Sequence, residues 1–129
     1  MDKLFKIESL IINSENNSEI EAHVSIDKTH RIFDGHFPGQ PVVPGVSYLY
    51  LIRKILEKYY DENLMLKEAA SVKFLQPVNP EIQNQLNCRI TIKEIDSHQF
   101  SISAEIKAGE DIVCKMKGKF GKECKMKNE

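Results

Sequence analysis

Nowhere does this chain carry the eighteen or so uninterrupted apolar residues that a membrane-spanning helix requires. The start, Met1-Asp2-Lys3-Leu4, lacks the basic, then apolar, run of a secretory signal, so the expected location is the cytoplasm with no membrane contact. Cysteine is scarce and odd in number. Cys88, Cys114 and Cys124 show no CxxC spacing, which argues against a zinc cluster or a disulfide framework and makes them small core residues. No internal repeat or linker breaks the 129 residues, so one compact domain spanning 1–129 is expected, with no metal and no cofactor. The net charge of -1 gives no overall basic excess. Residues 1–30 hold three bases against six acids, and 107–129 seven bases against four acids. That basic end lacks the interleaved aromatics of a nucleic-acid platform, and nucleic acid is not an expected partner.

What is present is period-two alternation. Ile20, Ala22, Val24 and Ile26 alternate with polar residues, as do Cys88, Ile90 and Ile92, then Phe100, Ile102, Ala104 and Ile106, then Ile112, Cys114, Met116, Gly118 and Phe120. The last three runs are joined by Asp96-Ser97-His98 and Ala108-Gly109-Glu110, links that suit an antiparallel meander. Further strands are predicted near Leu4 to Ile12 and across Ala70 to Leu75. One long helix is predicted from Val46 to Tyr59, a stretch without glycine or proline, with Leu49, Ile52, Leu56 and Tyr59 on one stripe. Its first half is nearly apolar all round and its second half has a wet side, as expected if a curved antiparallel sheet wraps around the helix start. The class is therefore α+β, and the lysine-rich 121–129 is expected to be a frayed tail.

The segment Asp34-Gly35-His36-Phe37-Pro38-Gly39-Gln40-Pro41-Val42-Val43-Pro44-Gly45-Val46 holds three of the five prolines and three of the six glycines around one histidine. Its backbone has few conformations open to it. Pro44-Gly45 stands just before the helix, where the first amides lack intrahelical partners and the positive end of the dipole favours a developing oxyanion. Gly45 has no side chain to hold a substrate away from its N–H. His36 in the same loop would supply a base, a pairing suited to proton removal next to a thioester or ketone. A loop histidine serves equally as a surface or hydrogen-bonded structural residue, and the residues by themselves leave both roles open.

Gly-His-Phe-Pro-Gly-x-Pro-Val-x-Pro-Gly-Val at 35–46, followed by an apolar helix, resembles the motif of the hot-dog-fold 3-hydroxyacyl-[acyl carrier protein] dehydratases of type II fatty acid synthesis. The likeness extends to Val72-Lys73-Phe74-Leu75-Gln76-Pro77-Val78 and the closing meander, about residues 15 to 120. The resemblance implies a hot-dog fold, an acyl thioester substrate on acyl carrier protein, and a dimer with the tunnel between subunits. It implies that His36 removes the α-proton, that the carbonyl of Val42 holds the imidazole, and that the Gly45 N–H polarises the thioester carbonyl. Phe37, Gly39, Val42, Pro44 and Val46 are the implied substrate-lining residues.

The family's second catalytic group is a Glu or Asp fourteen residues after the histidine, supplied by the other subunit; here that position is Tyr50. A phenol with a reference pKa of about 10 donates a hydrogen bond but does not cycle as a carboxyl does near neutral pH. Glu57 lies seven residues further on, roughly 10 Å along a helix. Asp34 is an alternative acid, although a turn acceptor is its simpler role. Where the family has a Pro-Gly-Asp turn, this chain has Asn79-Pro80-Glu81. Two readings follow: a working (3R)-hydroxyacyl dehydratase, as a homodimer, or a catalytically weak acyl-thioester-binding subunit in a heterodimer with a related hot-dog chain. Hot-dog thioesterases, a third class, usually lack this loop.

The other singled-out residues have plain roles. His23 belongs to the polar face of a strand and His98 to a turn, while His30 stands near enough to the loop to join the site or to stay at the surface. Tyr48, Tyr59 and Tyr60 are expected to pack with wet hydroxyls. Lys115, Lys117 and Lys119 form one strand face, either solvated or a docking face for an acidic carrier protein.

Overall fold

A computed structural model describes residues 3–13, 18–34 and 39–123. The elements are β1 (Phe5–Ile12), β2 (Glu19–Ile26), a 3-10 turn (Arg31–Phe33), α1 (Val46–Tyr60), β3 (Leu64–Phe74), β4 (Gln85–Glu94), β5 (Gln99–Ala108) and β6 (Asp111–Lys122). The six strands make one antiparallel sheet in the order β1-β2-β4-β5-β6-β3, open at both edges. The sheet curves so that α1 packs against both β1 and β3.

The alternation sets the faces. Ile20, Ala22, Val24 and Ile26 of β2 are all buried, as are Leu86, Cys88, Ile90 and Ile92 of β4, and these line the concave side against the helix. Register shifts, among them two between β3 and β6, were invisible to a strict period of two. In β1 the register shifts between Ile7 and Ser9, so the inward set passes from Phe5 and Ile7 to Leu10. Between β5 and β6 the register shifts after Ile106, and Val113 is buried beside Cys114. Gly109, at φ 64°, makes the tight β5–β6 turn. The β4–β5 turn is held by the Asp96 carboxylate, which accepts from the N–H groups of His98 (2.7 Å) and Gln99 (2.9 Å).

Three expectations need correction. The helix buries Tyr48, Leu51, Ile52, Ile55 and Leu56, so its core stripe is centred one position away from the predicted set, and Leu49 and Tyr59 lie at its margins. β3 begins at Leu64 rather than Ala70, because Asp61 in the left-handed region (φ 57°) ends the helix and Glu57 accepts from Leu64 N–H at 2.9 Å. β6 continues through Gly121 and Lys122, so the expected tail starts too early; 124–129, with Cys124, lie outside the described residues. Burial pushes the Cys114 thiol up to about 11 and raises that of Cys88 as well, which leaves both as inert core residues.

At Gly118 the β3 backbone leaves no room for a side chain on β6. A Cβ there would stand 2.5 Å from the Glu68 carbonyl oxygen and 3.0 Å from the Met116 methyl. Gly118→Ala is expected to destabilise the fold by about 1–3 kcal/mol, because the obstructing atom is backbone in a paired strand and cannot swing aside. A fall in the urea midpoint at unchanged m-value is the measurement that checks it.

Candidate active site

The loop before α1 is anchored from behind. Val43 is buried, and its N–H donates to the Val78 carbonyl at 2.9 Å, tying the loop to the β3–β4 connection. Gly39, at φ 84°, turns the exposed beginning of this stretch. Pro44 and Gly45 are half-buried, and the helix opens with tight i to i+3 bonds: Ser47 N–H to the Pro44 carbonyl and Tyr48 N–H to that of Gly45, each 3.0 Å. The fully buried Ser47 hydroxyl donates to the same Pro44 carbonyl at 2.5 Å. Among the described residues no acceptor takes the Gly45 N–H, so a backbone donor stands at the positive end of the helix.

Phe74, the last residue of β3, packs against the side-chain position of Gly45. An added Cβ at Gly45 would sit 3.0 Å from two atoms of the Phe74 ring, which lies 6.4 Å from the Tyr48 ring, centroid to centroid. Phe74 is 52% exposed and Val46 57%, so the helix start has an apolar lip suited to an acyl chain. Sequence reasoning placed Phe74 on a strand and missed this contact; the signal was Gly45 itself, whose missing side chain makes room for a ring. Gly45→Ala is expected to lower binding of an acyl thioester about tenfold, since either the ring moves or the carbonyl is held off the N–H. Titration of the wild type and of the variant in a Phe74→Leu background, where space returns, checks this.

Tyr50 is not brought to Gly45 within one chain. Five residues of helix turn through roughly 500°, so the two positions face about 140° apart. Tyr50 instead lines a groove of about 500 Å³ between α1 and β1, with Lys3, Phe5, Lys6, Ile7, Leu51, Lys54 and Lys58. The Arg53 guanidinium and the Lys54 ammonium each lie 5.5 Å from the centre of its ring. Glu57 is committed elsewhere, since its carboxylate holds Leu64 N–H and pairs with Lys54 at 3.5 Å. Val42 is half-buried at the end of the loop. His36 and Phe37, the predicted base and its neighbour, lie outside the described residues.

The remaining singled-out side chains sort simply. His30 caps the 3-10 turn, its Nδ1 accepting from Ile32 N–H at 3.0 Å, and Asp34 ends that turn through its N–H to the Arg31 carbonyl at 3.0 Å. Tyr48 departs from expectation: its hydroxyl is buried with no hydrogen-bond partner among the described residues, so it is not a wet group. Tyr60 packs between Tyr59 and Phe100, at centroid distances of 4.9 and 4.6 Å, and burial pushes its phenol up to about 12. Among the described residues there is no cluster of three or more His, Cys, Asp or Glu able to hold a metal, and no helix is long and apolar enough to cross a membrane.

The model of the ApeI-like family, described as ApeI dehydratase, matches residues 12–117. Among curated proteins, the 3-hydroxyacyl-[acyl-carrier-protein] dehydratase FabZ of Verminephrobacter eiseniae is 28% identical over 120 residues, covering 85% of this chain and 79% of that protein. FabZ of Novosphingobium aromaticivorans is 28% identical over 109 residues, covering 78% of this chain and 68% of its own. Among solved structures, the dehydratase heterocomplex ApeI:P from Xenorhabdus doucetiae superposes with a TM-score of 0.68 at 20% identity, covering 91% of this chain and 97% of that one. An uncharacterised protein from Erwinia carotovora subsp. atroseptica gives 0.65 at 20% identity, covering 92% and 97%. The open six-stranded sheet around one helix is thus the hot-dog fold.

Proposed function

The chain belongs to the ApeI-like family of dehydratases, and from that premise we propose that it removes water from a 3-hydroxyacyl thioester carried on acyl carrier protein. The observation that carries this reading is the Gly45 N–H at the start of α1, which no acceptor among the described residues takes, beside the exposed apolar Val46 and Phe74. A thioester carbonyl accepting from that N–H gains stabilisation as its oxygen becomes negative. His36, nine residues earlier in the loop, takes the α-proton. The electron pair of the broken C–H bond forms the Cα–Cβ double bond, the Cβ–O bond breaks, and the hydroxide leaves as water once it receives a proton. Val42 positions the histidine through its carbonyl, and Phe37, Gly39, Pro44 and Val46 line the acyl path.

Tyr50 holds the place of the proton donor, and the angle between it and Gly45 calls for a second subunit to complete each site. The free edge of β3 supports joining two copies there. A second reading, a binding or partner subunit in a heterodimer, is favoured by the same residue, since a phenol is a poor donor to a leaving hydroxide at neutral pH. The deciding experiment follows enoyl formation from a short 3-hydroxyacyl pantetheine thioester by the purified protein and by His36→Ala. Turnover that depends on His36 supports the enzyme; thioester binding without turnover supports the partner subunit.

A further inference from the structure

Tyr48 carries a hydroxyl that its surroundings do not use. The residue is 2% exposed, and its Oη has no hydrogen-bond partner among the described residues. Of the four tyrosines it alone is buried, since Tyr50, Tyr59 and Tyr60 are each half-buried. A phenylalanine would fill the same space without the cost of an unmet polar group, so packing does not account for the hydroxyl. Burial also raises its pKa well above the ordinary phenol value, which keeps the O–H intact as a donor. The other buried atom without a partner, Asn87 Oδ1, is a different case. Asn87 is half-buried between the inward Leu86 and Cys88, on the far face of the sheet, and its Nδ2 donates to Glu21 at 2.7 Å.

Position relates Tyr48 to the thioester. It stands one helical turn in from Gly45, its N–H donating to the Gly45 carbonyl at 3.0 Å. Phe74 bridges the two: its ring lies 3.0 Å from the side-chain position of Gly45 and, centroid to centroid, 6.4 Å from the Tyr48 ring. Phe74 ends its strand and is half-exposed, so the core does not enclose its ring, and turning it joins the Gly45 N–H to the phenol by an apolar path. We infer that the Tyr48 hydroxyl is a specificity group of the acyl site: it donates a hydrogen bond to an oxygen carried on the acyl chain beyond the 3-hydroxyl, and so selects oxygen-bearing chains over plain hydrocarbon ones. The inference rests on the dehydratase reading and adds the class of acyl chain. An acceptor at that depth meets the donor, whereas a hydrocarbon chain leaves it unpaired, and an unpaired buried group is what lets a site reject the wrong ligand.

The test is isothermal titration of the full chain with saturated acyl pantetheine thioesters, which have no 3-hydroxyl to eliminate. The series keeps chain length constant and moves a single ether oxygen, in place of a methylene, outward one carbon at a time beyond the position of the 3-hydroxyl. The wild type is expected to bind the best-placed member about tenfold or more tightly than the all-carbon parent, and in Tyr48→Phe that ratio is expected to fall to about twofold or less. The same variant is expected to raise the urea midpoint of the unliganded protein at unchanged m-value, because it deletes an unmet donor and keeps the ring. A tyrosine with a purely structural role would lower the midpoint and leave the ratio alone. A flat wild-type series, a ratio that survives Tyr48→Phe, or a variant that is less stable or does not fold would each overturn the inference. Enoyl formation from the 3-hydroxyacyl parent separates the two claims. Turnover with a flat series sinks the chain selection alone, and a Tyr48-dependent preference without turnover sinks the dehydratase reading alone.

Discussion

Tyr50→Glu is expected to raise the rate of water elimination by about 10²–10⁴, the usual worth of a positioned general acid. The reason is a mismatch between two halves of one reaction. On the proposed assignment His36 and the Gly45 N–H would remove the α-proton and hold the resulting enolate, whereas departure of hydroxide needs a proton that a phenol yields poorly near pH 7. In deuterated water the wild type should therefore exchange the α-proton of a bound 3-hydroxyacyl thioester faster than it forms enoyl product. The glutamate variant should bring the two rates together. A fully active wild type whose elimination is untouched by Tyr50→Phe would refute the assignment and make Asp34 the next acid to replace.

Specific activity should collapse on dilution, in step with dissociation of a dimer. β3 is an edge strand of eleven residues, and its free side offers unpaired backbone groups beside the exposed Met65, Leu66, Phe74 and Leu75. Pairing that edge with a second chain satisfies the backbone and covers the apolar groups. On the proposed assignment a second chain would also supply the Tyr50 that does not face Gly45 within one chain. Sedimentation velocity and thioester turnover over the same concentration range should give the same midpoint, with activity per chain falling about tenfold or more below it. A stable, fully active monomer at micromolar concentration would remove both the edge pairing and the shared site.

The strand pattern, the helix and the loop that feeds it were legible in the residues alone. Alternation at Ile20 to Ile26, at Cys88 to Ile92 and at Phe100 to Ile106 marks inward faces because side chains in a strand repeat every two residues, whatever lies opposite. The loop was legible because proline and glycine act on their own backbone, and its motif because a long run of specified residues is rare by chance. Only the tertiary structure decided the rest, because each remaining feature is a contact between residues far apart in the chain. The Phe74 ring over Gly45, the Val43 N–H on Val78 and the burial of Val113 at a register shift depend on strands meeting at one register. Lys3 and Lys6 meet Lys54 and Lys58 only when β1 curls back to the helix, so a groove with four lysines and no acid among its described lining residues arises from a chain with nearly balanced charge. The lysines of β6 look like a basic stripe in sequence, yet which side of the sheet they take is fixed by where the helix packs.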